Sequence, residues 1–343
     1  MFPLVRSAAL TGYATLARSL ALEPERFVDA VGLPRAALEA PDLRVPVSRV
    51  ARLLELSADE AGVEDLGLRL AETRRVSNLG LLGVIGSEAP SLRRGIEATA
   101  RYARLHSDAL SLQLERLETG WFVSPAVFIP QLDRIRQITE LTLAVTHRAF
   151  AELFGEDWRP EMICFAHPAP RDPSSHSSIF GGHLQFDAVV AGFVCSEAMM
   201  DRRRPVATSL LVREARAHLE QQLARSQPGT VARTREAIAW LLPTGFCSAE
   251  AVPERLGFDR RTLHRRLARE GRSYATLVDE VRQDVARQQL SEGRRPLKEV
   301  AAALGFEAPS VLSRWFRARF GCSATEWSRR VAAPLFEKAA PTE

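Results

Sequence analysis

The 343-residue chain lacks the features that mark membrane spans, disulfide scaffolds and most enzymes. Its longest apolar run, Leu79–Gly86, falls far short of the roughly 20 residues that cross a bilayer, so no membrane is expected. The opening Met1-Phe-Pro-Leu-Val-Arg6 has no basic segment leading into an apolar core, so no signal peptide is expected. The four cysteines, Cys164, Cys195, Cys247 and Cys322, are scattered with no C-x-x-C. That argues against a disulfide framework and fits a reducing cytoplasm. Cys164 and Cys195 flank apolar residues and read as inert core, and Cys322 has only a basic helix before it. The glycine-rich Leu79–Gly86 has no G-x-G-x-x-G and no strand ahead of it, so close helix packing is the better reading. Ser174-Ser-His-Ser-Ser178 lacks the G-x-S-x-G elbow of a nucleophile. His167, His176 and His183 share a proline-rich segment without cysteine or carboxylate ligands at fitting spacing. No metal, cofactor or catalytic activity is expected.

What the chain does have is an uneven charge. The net charge is only +4, but residues 230–343 carry +6 and residues 1–229 carry −2. A basic C-terminal third on a slightly acidic remainder is the footprint of one domain meeting phosphate.

Taken in order, residues 1–75 read as helical, including Val47–Ala61, where Val50, Leu53 and Leu54 have helical spacing. Ser91 caps an amphipathic helix to His106. Leu110–Leu117 alternates, Thr119-Gly120 turns, and Trp121–Ile129 returns, which is a hairpin pattern. Arg134–Phe154 is a long helix; Glu161–Phe165, His183–Asp187 and Val189–Cys195 read as short strands around a helix at Ser175–Phe180. The mixture is an α+β domain. Met200–Pro205 is charged, ends in proline and marks a boundary. A polar helix follows over Thr208–Ser226, and Thr230 is expected to cap the first helix of the basic domain. The expected domains are 1–205, an α+β sensing and dimerisation domain; 206–229, a connecting helix and linker; 230–332, an all-α DNA-binding domain; and 333–343, a tail.

The basic domain contains one construction twice. A short apolar helix ends at Leu256-Gly-Phe258 and again at Leu304-Gly-Phe306, and each is followed by a helix bearing arginines. That is the pattern of two helix-turn-helix units, joined here by a central helix over Tyr274–Leu290. Leu263 and Leu267 must face inward in the first arginine-bearing helix. At about 100° per residue, Arg261, His264 and Arg265 then face outward, with Arg260 at the helix start. In the second, Leu312 and Phe316 face inward, while Ser310, Ser313, Arg314 and Arg317 face outward and Pro309 opens the helix. A lone arginine-rich helix is more often a solvated face. Two of them behind identical turns favour base reading, with arginine suited to guanine O6 and N7.

These residues resemble the AraC/XylS family of transcription regulators. The resemblance rests on Val300-Ala-Ala-Ala-Leu-Gly-Phe306, Ser310-Val-Leu-Ser-Arg-Trp-Phe316 and Phe320-Gly-Cys-Ser-Ala324, where Ala324 stands in place of the family's proline. It implies base-facing positions at Arg261, His264, Arg265, Pro309, Ser310, Ser313 and Arg314. Residues 20–205 resemble the arabinose-binding type of N-terminal domain, through Leu79–Gly83, Arg101-Tyr102 to Asp108, Phe165–Pro170, Ile179–Gly181 and Leu184–Phe186. That branch is associated with diverse effectors. Arg101, Tyr102 and His106 on one helix, with His167, are candidates to meet an anionic effector; structural packing is the alternative.

The expected function is a cytoplasmic, sequence-specific transcription regulator of a catabolic or similar operon. Its expected partners are a double-stranded DNA operator, a small-molecule effector, RNA polymerase if it activates, and a second copy of itself. An effector-independent architectural protein and an enzyme with a DNA-binding tail are the alternatives.

Overall fold

In a computed structural model, described here for residues 3–74, 81–87, 89–203, 210–225, 229–292 and 295–331, the chain divides into two units. One comprises Met1–Ile129 and Ile135–Ser226; the other comprises Pro130–Arg134 and Gln227–Glu343.

The first unit is α+β. Strand β1 (Leu4–Arg6) pairs antiparallel with β2 (Arg44–Pro46), and helices α1 (Tyr13–Ser19) and α2 (Pro24–Ala30) lie between them in sequence. These two strands fall within the stretch expected to be wholly helical. Three-residue strands carry no readable period, and they are held by pairing between segments far apart in sequence. Helix α3 (Val47–Ala61) buries Val50, Leu53, Leu54 and Ala58 along one face, the spacing of an amphipathic helix. Gly62, at φ 64°, closes it in the left-handed conformation. Helices α4 (Leu66–Glu72), α5 (Leu81–Ser87) and α6 (Leu92–His106) follow. Ser91 Oγ accepts from Arg94 N at 3.3 Å and caps α6. Leu79 and Gly80 of the glycine-rich run lie outside the described residues. Within it, a Cβ on Gly86 would meet Thr99 Oγ1 at 3.2 Å, and one on Gly95 of α6 would meet Gly86 O at 3.0 Å. Both glycines allow α5 and α6 to approach closely.

The hairpin forms as β3 (Leu110–Leu117) and β4 (Gly120–Val127). Strands β5 (Met162–Cys164), β6 (His183–Gln185) and β7 (Gly192–Ser196) complete a five-stranded sheet in the order β3-β4-β7-β5-β6, antiparallel except for β5 with β6. Helix α7 (Arg136–Phe154) buries Ile138, Leu141, Leu143, Ala144 and Phe150. Its first turn receives the buried Glu55 carboxylate, which accepts from Gln137 N at 2.7 Å, a favourable place for negative charge. Short helix α8 (Ser174–Phe180) packs against α4 and α7, and α9 (Glu197–Asp201) packs against β4, β7 and α6. Helix α10 (Leu210–Arg225), expected as a connector, instead buries Ala215 and Leu219 against Ile85 and Tyr102, so it is part of the first unit. Pro205 of the expected boundary and the 333–343 tail lie outside the described residues.

The second unit is helical: α11 (Thr230–Thr244), α12 (Ala251–Arg255), α13 (Arg260–Arg269), α14 (Tyr274–Glu292), α15 (Leu297–Ala303), α16 (Pro309–Phe320) and α17 (Ala324–Val331). Thr230 does not cap α11 as expected. Glu270, just past α13, does so, accepting from Thr230 N at 2.8 Å and Val231 N at 3.2 Å. Phe316 stacks on Phe320 at 4.2 Å between centroids, and Trp327 packs on both. Among the described residues, no helix is long and apolar enough to cross a membrane.

Candidate functional site

The two Leu-Gly-Phe turns are built identically. Gly257 and Gly305 both have φ 72°. Phe258 N donates to Pro253 O at 2.9 Å, and Phe306 N donates to Ala301 O at 2.8 Å. These bonds close each short helix over its left-handed glycine. An arginine then covers each phenylalanine: Arg266 lies 4.3 Å from the Phe258 ring centroid and Arg282 lies 4.9 Å from that of Phe306.

Helix α13 starts at Asp259, whose carboxylate accepts from Thr262 N at 2.7 Å and from the Thr262 hydroxyl at 2.8 Å. Leu263 and Leu267 are fully buried, and Arg261, His264 and Arg265 are exposed on the opposite side. The side chains of Arg261 and Arg265 have neither a hydrogen bond nor an ion pair among the described residues. Arg260 reaches Glu250 at 3.3 Å. The His264 ring lies 6.0 Å from that of Tyr274, whose hydroxyl donates to Ser248 O at 2.9 Å.

Helix α16 opens with Pro309 in its first turn and buries Leu312 and Phe316. Pro309, Ser310, Ser313, Arg314 and Arg317 are exposed. Ser313 Oγ donates to Pro309 O at 2.9 Å, which leaves that hydroxyl to accept, as from a base amino group. Trp315 Nε1 donates to Asp279 Oδ1 at 3.0 Å, and Arg319 pairs with Asp279 at 3.2 Å, so α16 is pinned to α14. At 19 residues, α14 is about 28 Å long, close to the roughly 34 Å between successive major grooves on one DNA face. Arg233, Arg235, Arg272, Arg282, Arg287 and Arg319 are engaged by carbonyls or carboxylates within the unit. The arginines left without such partners on the outward faces of α13 and α16 include Arg261, Arg265 and Arg314.

The expected effector residues are placed differently. Arg101 pairs with Glu220 of α10 at 2.9 Å, and the buried Tyr102 donates to the same carboxylate at 2.5 Å. Those contacts tie α6 to α10. The side chain of His106 lies outside what is described. His167 is buried with His176, and their Nε2 atoms lie 2.9 and 3.1 Å from Glu140 Oε1. Among the described residues these three are a cluster of metal-ligating type. However, Arg136 Nε already sits 3.0 Å from the same oxygen, so a fixed cation answers the carboxylate. Burial would raise the Glu140 carboxyl, but the two imidazoles and Arg136 outweigh it and hold it down to about 2. Neither Arg101, Tyr102 nor His167 lines the large cavity of this unit, which is bounded by α7 and the hairpin.

Residues 22–204 match the family profile described as "Arabinose-binding domain of AraC transcription regulator, N-term", and residues 253–330 match a helix-turn-helix domain profile. The chain belongs to the AraC family. It is 30% identical over 330 residues to the HTH-type transcriptional regulator VirS of Mycobacterium tuberculosis, covering 94% of this chain and 96% of VirS. It is 26% identical over 296 residues to the ornithine utilization regulator of Pseudomonas aeruginosa, covering 85% and 87%. The solved structure of the transcriptional regulator CdpR from Pseudomonas aeruginosa aligns over 89% of this chain and 96% of CdpR, at 21% identity and a TM-score of 0.41. This AraC-family chain is a DNA-binding transcription regulator with an arabinose-binding-type N-terminal domain.

Three charged groups in the regulator had no readable signal. Glu140 lies in an amphipathic helix, where a carboxylate ordinarily faces water. Glu270 follows an exposed helix. Arg74 lies two residues past the end of α4 yet is only 6% exposed. Each acquires its role from residues distant in sequence.

Proposed function

We propose that this AraC-family regulator is a cytoplasmic, effector-controlled reader of a specific operator in a catabolic or similar operon. The unpartnered outward arginines of α13 and α16 carry this reading. In a soluble fold, guanidinium groups held on rigid helices without counter-charges are suited to phosphates and guanine edges. Arg261, His264 and Arg265 contact bases from the first unit of the repeat, and Pro309, Ser310, Ser313 and Arg314 from the second; Arg260 and Arg317 approach phosphate. The first unit of the chain binds the small molecule and joins two copies into a homodimer. The effector acts by binding one arrangement of the protein better than the other. Where the output is activation, RNA polymerase is the further partner. The named function of one relative, ornithine utilization, is in keeping with catabolic control.

Fluorescence anisotropy of the full chain tests this reading, comparing DNA upstream of the neighbouring operon with scrambled DNA of equal length. The expected preference is about a thousandfold or more at physiological salt. Equal affinity for both would support the architectural alternative instead.

A further inference from the structure

The cavity bounded by α7 and the hairpin is partly enclosed and partly open to solvent. Its wall is apolar, formed by residues such as Val50, Leu112, Ile138, Leu141, Val145 and Phe150. Threonines also reach it, but their hydroxyl protons are engaged by their own helices. Thr99 donates to Gly95 O at 2.9 Å, Thr142 to Ile138 O at 2.7 Å and Thr146 to Thr142 O at 2.8 Å. Among the described lining residues, Arg74 is the only charged one.

Arg74 is buried, and its guanidinium donates to two backbone carbonyls, Ala8 O and, at 2.6 Å, Ala9 O. No carboxylate is bonded to it among the described residues. Burial pushes its pKa down to about 10, which still leaves it charged at neutral pH. A guanidinium has five donors, so some remain after two carbonyls are served. Buried charges are ordinarily paired, because an unmatched one is costly away from water. The cavity therefore has an apolar body and one unmatched positive charge at its wall. An amine would meet repulsion there. A neutral ligand would leave the charge unmatched. A dicarboxylate would place its second charge against hydrocarbon.

We propose that this cavity binds a monocarboxylic acid with an aliphatic or aromatic body, its carboxylate held by Arg74. The proposal rests on the reading of the first unit as the sensor and supplies its ligand class. A carboxylate would pair with the planar guanidinium through charge-assisted hydrogen bonds, while the body lies along Leu141 and Phe150 of α7. A free diamino acid such as ornithine has neither the apolar body nor the single charge that this wall requires.

The test is calorimetric titration of the full-length protein with octanoate, 3-phenylpropionate, 1-octanol, octylamine and L-ornithine. One of the two monocarboxylates is expected to bind at least about tenfold more tightly than 1-octanol, with octylamine and ornithine weaker still. Arg74→Gln is expected to bring the carboxylate down to the level of the alcohol and to leave the alcohol unchanged. Because Arg74 also bonds Ala8 and Ala9, a second variant guards against a folding defect. Leu141→Trp fills the cavity and should abolish carboxylate binding while the chain still binds DNA. The proposal is overturned if neither carboxylate binds, if the alcohol binds as well as the acid, or if Arg74→Gln keeps the preference. Operator affinity measured in parallel separates the two claims. A carboxylate that binds through Arg74 without altering DNA affinity would sink the sensor reading alone. Ornithine or octylamine binding and altering DNA affinity, with no carboxylate response, would sink this proposal alone.

Discussion

Among the described residues, the two units differ in the charges they leave without an opposite charge: exposed arginines in the second, the enclosed Arg74 in the first. In the second unit, Arg261, Arg265 and Arg314 stand on the outside of rigid helices, with no hydrogen-bond or ion-pair partner for their side chains among the described residues. In the first, Glu55, Arg74 and Glu140 are almost wholly enclosed. An exposed cation costs the fold little and waits for a polyanion. An enclosed charge must be matched, either by another part of the chain or by a ligand. Glu140 is matched from within by Arg136, His167 and His176, and among the described residues Arg74 is met by carbonyls alone.

The strongest way to break this contrast is to remove an enclosed partner. Glu140→Ala leaves Arg136 and two imidazoles facing an empty space, and should cost about 3–5 kcal/mol. Urea unfolding of the full chain, followed through the fluorescence of its five tryptophans, which lie in both units, reads it. Arg265→Ala should change the same curve by less than about 0.5 kcal/mol. Equal stability losses from the two variants would contradict the contrast.

The next effect concerns pH. Trp158 Nε1 donates to His147 Nδ1 at 3.1 Å, which requires that ring nitrogen to be unprotonated. Burial, with Arg148 adding to it, pushes His147 down from 6.5 to about 4. The folded state therefore binds fewer protons than the unfolded state between these values, and stability rises with pH across that window. It should be fully present above about pH 6.5 and fall by about 3 kcal/mol as pH drops through 4. His147→Asn, which keeps an acceptor for the indole, should flatten the slope. An unchanged slope would assign the pH dependence to other groups.

A smaller effect sharpens the likeness within the second unit. Gly257→Ala and Gly305→Ala each force a Cβ into the left-handed region, at about 1–2 kcal/mol. A Cβ on Gly257 would meet nothing within 4 Å, and one on Gly305 would meet Arg282 Nη2 at 3.8 Å and Leu242 Cδ1 at 4.0 Å, both ordinary contacts. The two costs should therefore agree in thermal unfolding. A clear inequality would mean that the turns are not equivalent in solution.

The same contrast explains what could be read from the sequence. Helix α3 was legible because Val50, Leu53 and Leu54 mark its buried face. The β3–β4 hairpin was legible from its alternation, and the faces of α13 and α16 from the pairs Leu263/Leu267 and Leu312/Phe316. An outward residue is fixed by the inward ones on its own helix, so local periodicity suffices. An enclosed site has no such rule. Whether Glu140 meets water depends on where the loop carrying His167 and the helix carrying His176 come to rest. Arg101 and Tyr102 suggested an anion site, but the carboxylate they meet is Glu220 of the chain itself. Arg74 could not be placed because its surroundings are Ala8 and Ala9, near the other end of the first helical region.

The most direct test of the account is selection of randomised operator DNA with the wild-type chain, Arg265→Ala and Arg314→Ala, followed by affinities on the selected sites. Each variant should lose about 1–3 kcal/mol at its own base position and relax the preference there alone. The two positions should lie about one helical turn apart, as the length of α14 requires. Uniform weakening on every sequence by both variants, with no position relaxed, would mean that these arginines meet only phosphate and would contradict the two-reader account.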